Sequence, residues 1–102
     1  MDQGAAYNFE WDPIKAFSNL SKHGISFDQA ATVFLDAYAL TVYDEGNSLA
    51  EERWFTLGFD ATGNLLAIAH TYQILDGAIR IRIVSARKAT RRERQAYEDE
   101  PR

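Results

Sequence analysis

The sequence predicts an α+β fold: an antiparallel sheet packed by helices, in the order β-α-α-β-β-β-β-α. Three observations predict it. Helix start and stop signals cluster in the first third of the chain and again near its end. Between Ala39 and Ser85, apolar segments of strand length alternate with turns rich in Gly, Asn and Asp. Connections that short join antiparallel neighbours, because a parallel pair needs a long crossover.

Each element has its own local reason. Tyr7-Asn8-Phe9-Glu10-Trp11 alternates apolar and polar, the period of a strand with one buried face. Asp12-Pro13 opens a helix, with Asp12 as cap and Pro13 at the first helical position. Ile14, Phe17 and Leu20 or Ser21 follow at helical spacing, and Gly24 stops the helix. Ser26-Phe27-Asp28-Gln29 reads as a capping box for a second helix with Phe27, Ala30, Val33 and Phe34 buried. Ala39 to Tyr43 is a strand, and Asp44 to Ala50 a loop turning at Gly46-Asn47. Strands follow at Glu52 to Asp60, Leu65 to Tyr72 and Ile79 to Ser85. Ala61-Thr62-Gly63-Asn64 and Leu75-Asp76-Gly77-Ala78 turn the chain between them. The second strand is apolar on both faces and belongs at the centre. Thr90-Arg91-Arg92-Glu93 is another capping box, opening a helix through Tyr97. The chain of 102 residues is one domain, 7–98, with loose tails at 1–6 and 99–102.

Composition excludes several classes of function. With no cysteine there are no disulfides, thiolate zinc sites or thiol chemistry. The two histidines, His23 and His70, show no paired metal-ligand spacing, so neither metal nor cofactor is expected. The longest apolar run, Leu65 to Ala69, is too short to span a membrane, and no secretion signal opens the chain. A cytoplasmic protein with no membrane partner is the expectation.

The charge is divided. The first 79 residues carry three bases against eleven acids; the last 23 carry eight against four. The net charge of −4 therefore hides a dipole, and Arg80 to Arg94 alone holds seven bases. A basic end on an acidic body suits an anionic partner, a phosphate backbone first, although a solvated helix face would look the same. On the last strand Ile79, Ile81 and Ile83 point one way and Arg80 and Arg82 the other. An arginine fork donates two parallel hydrogen bonds to phosphate, and Arg87 extends the patch. The competing expectation is ordinary pairing of Arg80 and Arg82 with Glu51, Glu52 or Asp44 across strands.

Several strings in order resemble the BrnT toxin family. They are Phe9-Glu10-Trp11-Asp12; Lys15 and Asn19; Lys22-His23-Gly24 with Phe27; Glu52-Arg53-Trp54; and Ile81-Arg82-Ile83-Val84-Ser85-Ala86-Arg87-Lys88-Ala89-Thr90 with Glu93-Arg94 and Tyr97. The resemblance covers about Phe9 to Glu98. It implies a RelE-like fold and the toxin half of a type II toxin–antitoxin pair that cuts RNA and stops translation. It also implies a ribbon-helix-helix antitoxin (BrnA-like), through which alone the toxin meets DNA, in a complex that represses its own operon. Members of the family carry an Arg near the turn before the last strand; Tyr72-Gln73-Ile74-Leu75 has none here, and Arg80 is the nearest base.

Metal-free RNA cleavage needs a base for the 2′-hydroxyl, cations for the charged phosphorane and a proton for the leaving oxygen. Arg82 and Arg87 match the family motif and are the candidates for transition-state stabilisation. Lys22 adds charge, His23 is a candidate base or acid, and Glu52 and His70 are further candidate bases. Arg53, His70 and Arg80 are candidate substrate contacts, while Arg91, Arg92 and Arg94 form a candidate antitoxin-docking surface. Each has a plainer alternative. His23 can cap helix carbonyls, His70 can be a bonded core residue, and Glu52 and Arg53 point to opposite faces. Trp11 and Trp54 are expected in the core. The runner-up function is a non-catalytic subunit that modulates an antitoxin's repression of DNA.

Overall fold

The computed structural model describes residues 6–47 and 51–101. Its elements are β1 (Ala6–Glu10), α1 (Pro13–His23), α2 (Phe27–Ala31), β2 (Leu40–Tyr43), β3 (Trp54–Phe59), β4 (Leu65–Leu75), β5 (Ala78–Lys88) and α3 (Arg91–Asp99). A 3-10 turn, Thr32–Leu35, continues α2, and another spans Glu45–Asn47. The element order is the expected one, and the fold is α+β.

Capping sets the helix ends. Asp12 accepts from the Ile14 N–H at 2.8 Å, and Gly24, at φ 71°, donates to the Leu20 carbonyl. Ser26 accepts from the Gln29 N–H at 3.0 Å, but only half of the expected capping box forms. The Gln29 amide instead donates to Asp60 at 2.6 Å. Asp60 also accepts from the Thr62 N–H and hydroxyl and the Asn64 N–H, which fixes the β3–β4 turn. Burial alone would raise the Asp60 pKa; these hydrogen bonds outweigh it and hold the carboxyl below its usual range.

The apolar spacing on α1 does not mark its buried face. Ile14 and Phe17 are 79% and 74% exposed, whereas Asn19 is buried. The cause lies at the sheet edge. β1 pairs with β5 only as far as Arg82, so the backbone of Ala86 lacks a strand partner on that side. The Asn19 amide supplies one, donating to the Ala86 carbonyl at 2.9 Å and accepting from its N–H at 3.0 Å. It also donates to the Ile25 carbonyl at 3.0 Å. Satisfying a buried backbone pair decides the rotation of this helix.

The sheet order is β1-β5-β4-β3-β2, which puts β4 at the centre. β2 to β5 run antiparallel, and Asp76 and Gly77, both at positive φ, make the two-residue turn between β4 and β5. β1 departs from the antiparallel expectation. It lies parallel to β5, because two helices separate it from the other strands. On one face Leu66, Ile68, Ile81, Ile83 and Ala86 pack against Ile25, Phe27, Ala30 and Val33. On the other, α3 lays Tyr97 over Leu57, Leu65 and Ala67, with its hydroxyl donating to Asp36 at 2.6 Å. Thr90 and Glu93 complete a full capping box at the start of α3. α3 covers only part of this second face.

One irregularity matters for the site. Ile83 pairs with His70 but Ser85 pairs with Ala69, so Val84 is an extra residue in β5. Strict alternation would send Arg87 to the face opposite Arg82. The bulge returns Ser85 and Arg87 to the side of Arg80 and Arg82.

Candidate active site

The uncovered part of the second face holds a polar cleft of about 150 Å³. Three strands build it. In β1–β5 register Asn8 stands beside Arg80 and Glu10 beside Arg82; in β4–β5 register Gln73 and Thr71 stand on the other side. Glu10, Glu51, Thr71, Tyr72, Gln73, Arg80 and Arg82 line the cleft. Glu10 lies between the two guanidinium groups, 3.7 Å from Arg80 and 3.9 Å from Arg82. Both arginines are half exposed, so these long ion pairs contribute little and exchange readily for an incoming anion. The carboxylate is neither Glu51, Glu52 nor Asp44, the partners expected for these arginines.

Glu10 is the residue that sequence reasoning missed. The alternation of Tyr7 to Trp11 places it opposite the buried Phe9, but only the pairing of β1 with β5 brings it to Arg82. Gln73, in the stretch that lacks the family's Arg, is directly opposite Arg80.

Arg87 has a different setting. It donates to both carboxylate oxygens of Glu93, at 2.7 and 3.0 Å, and lies over the Phe55 ring at 5.9 Å. The bidentate bond to Arg87 holds the Glu93 carboxyl down at about 2, and the same bond raises the pKa of Arg87. Arg87 thus ties α3 to the sheet. From Thr71, opposite Arg82, to Ala67, opposite Arg87, is four residues of β4, or roughly 13 Å at strand rise.

The other candidates are dispersed. Lys22 and His23 are exposed at the end of α1, in a shallow groove beside Val84 and Ser85. Glu52 is exposed just before β3, and its neighbour Glu51 lines the cleft instead. The Arg53 carbonyl accepts from the Asp44 N–H, and its side chain is half-buried. His70 is buried on the helix-covered face, behind the sheet from the arginines. Its Nδ1 lies 3.3 Å from the Thr71 carbonyl, which only accepts, so Nδ1 carries the hydrogen. Nε2 then accepts from Thr56, at 2.7 Å, and Thr56 accepts from Thr41 at 2.8 Å. Burial pushes the imidazole down to about 4. Arg91 and Arg92 are exposed on α3, and Arg94 lies 3.9 Å from Glu98 and over Phe59. Trp11 packs edge-on to Phe27, and Trp54 sits between Tyr43 and Tyr72. Among the described residues no cluster of three or more His, Asp or Glu is arranged to hold a metal, and no helix is long and apolar enough to cross a membrane.

The family described as "Ribonuclease toxin, BrnT, of type II toxin-antitoxin system" matches residues 11–93. The chain belongs to the BrnT family. No curated protein matches it. The crystal structure of the Brucella abortus ribonuclease toxin BrnT superposes with a TM-score of 0.59 at 17% identity, over 85% of this chain and all of that one. At that identity the likeness concerns the fold, which the two share. Membership of a BrnT family also implies a protein antitoxin as partner.

Proposed function

We propose that this BrnT-family protein is a metal-independent endoribonuclease whose active site is the cleft of Glu10, Arg80 and Arg82. The observation that carries the reading is the convergence of Glu10 and two arginines on an open sheet face, with Glu51 also at the cleft. Phosphate displaces Glu10 from the guanidinium forks, and each fork offers paired donors to the non-bridging oxygens. The freed Glu10 carboxylate takes the proton of the 2′-hydroxyl. The 2′-oxygen attacks the adjacent phosphorus, the bond to the 5′-oxygen breaks, and the leaving oxygen takes a proton from water. The products are a 2′,3′-cyclic phosphate and a 5′-hydroxyl. Arg80 and Arg82 stabilise the extra negative charge of the phosphorane, the usual source of the largest rate effect. Thr71 and Gln73 offer hydrogen bonds to the sugar and phosphate. Cleavage of RNA by this route inhibits translation, and a ribbon-helix-helix antitoxin of the BrnA type restrains it in the cytoplasm.

The test is incubation of antitoxin-free protein with RNA in EDTA. Wild type should shorten the RNA. Glu10→Gln should slow cleavage by about 10²-fold or more, the contribution of a positioned base. Arg82→Ala should cost about 10²–10³-fold, as loss of a transition-state donor does, and should relieve growth arrest in cells lacking the antitoxin. Full cleavage by folded Glu10→Gln and Arg82→Ala would refute the assignment. No cleavage by wild type would favour a non-catalytic role in antitoxin-mediated repression.

A further inference from the structure

We propose that the groove between α1 and the edge of β5 beyond β1 is a second site for the phosphates of a single RNA strand that also occupies the cleft; the proposal rests on the ribonuclease reading above. The groove encloses about 190 Å³ and is lined by Lys15, Ser18, Asn19, Lys22, His23, Val84 and Ser85. Lys15, Ser18 and Lys22 stand at i, i+3 and i+7 and therefore share one flank of α1. Asn19 is already committed to the backbone of Ala86 and Ile25. The remaining polar side chains are two ammonium groups, one imidazole and two hydroxyls, and no carboxylate is among them.

That absence is informative in this chain. Acids outnumber bases, fifteen to eleven. Yet among the described residues neither Lys15 nor Lys22 has an acidic partner, whereas Arg80, Arg82, Arg87 and Arg94 each have one. Two unpaired cations on one helix flank repel each other until an anion lies between them. Hydroxyls and ammonium groups suit a phosphate backbone, so this contact would be indifferent to sequence.

Position selects RNA over an acidic protein. β1 ends at Glu10, so no strand pairs with this edge of β5 beyond Arg82, and Asn19 of α1 caps it at Ala86. Ser85 lies two residues of β4 register beyond Arg82, from Thr71 to Ala69, or roughly 7 Å of strand. Phosphates along a stacked strand advance about 3.4 Å each, so about two nucleotides cover the interval. A strand held at Arg80 and Arg82 reaches the lysines by crossing the sheet edge where no strand blocks it.

The experiment is fluorescence anisotropy of a labelled 2′-O-methyl oligonucleotide, which lacks the nucleophile and stays intact. Affinity is measured at rising salt for wild type, Lys15→Gln/Lys22→Gln and Arg80→Gln/Arg82→Gln. Each phosphate contact on a single strand contributes about 0.7 to the salt slope, so the lysine pair should reduce it by about 1.4. That difference equals roughly 25-fold in affinity per decade of salt. Both lysines are exposed, and thermal melting checks that the variants remain folded. An unchanged slope in the lysine variant would overturn the proposal. So would an unchanged slope with weakened antitoxin binding, which would make the groove a protein-docking site. A slope that falls for the lysine pair but not for the arginine pair would uphold the groove and overturn the cleft.

Discussion

Acidification should unfold this protein earlier than its carboxylates alone require, and His70 should be the cause. His70 is wholly buried, among Phe34, Tyr72 and the Thr56 hydroxyl, and its pKa falls to about 4 from an ordinary 6.5. Burial is the cause; the bond to the Thr71 carbonyl opposes it weakly. Because the folded pKa lies below the unfolded one, the unfolded chain binds the proton first. Stability is complete above about pH 6.5 and is lost as pH falls toward 4. The full window corresponds to roughly 3 kcal/mol at about 1.4 kcal/mol per pH unit, most of which is lost by about pH 4.5. A domain of this size holds only about 5–15 kcal/mol in all. Urea unfolding followed by tryptophan fluorescence reads the change, since Trp54 packs edge-on against Tyr72, the ring beside His70. With a urea slope of about 1–3 kcal/mol per molar, the midpoint should drop by about 1 M between pH 7 and 4.5. His70→Gln should be less stable at pH 7 yet lose far less over the same interval. A flat wild-type midpoint, or an equal slope in His70→Gln, would refute the reasoning.

Three other outcomes are expected. Glu93→Ala removes the bidentate acceptor of Arg87 and the reciprocal bond of the capping box; with the pair partly exposed, the loss should be about 1–2 kcal/mol, read as a lowered melting temperature. An unaltered melting temperature would mean that Arg87 does not brace α3. Gly58→Ala would bring a Cβ within 2.8 Å of Val33 Cγ1, where the 3-10 turn presses on β3, and should cost about 1–3 kcal/mol by chemical denaturation. Charge reversal of Arg91, Arg92 and Arg94 together should weaken antitoxin affinity more than RNA cleavage; lost cleavage with unchanged affinity would move these arginines into the substrate site.

The sequence by itself determined whatever depends on near neighbours along the chain. Asp12-Pro13, Gly24 and Thr90-Glu93 mark helix ends because caps are satisfied within a few residues. Alternation along β5 put Arg80 and Arg82 opposite Ile81 and Ile83, because side chains of a strand change face at every residue. Family membership was legible in the ordered motifs, and with it the ribonuclease class. Local pattern ran out where the partner lies far away. Glu10 and Arg82 are 72 positions apart, and only the insertion of β1 beside β5 makes them neighbours. The extra residue Val84 leaves no mark in composition, yet it decides that Arg87 shares a face with Arg82. α1 turned its apolar stripe outward because the unpaired backbone of Ala86 needed Asn19 more than the core needed Phe17. Periodicity along a chain states which residues share a face. Which face is covered, and by what, is settled only when distant elements compete to satisfy the same backbone groups and bury the same surface.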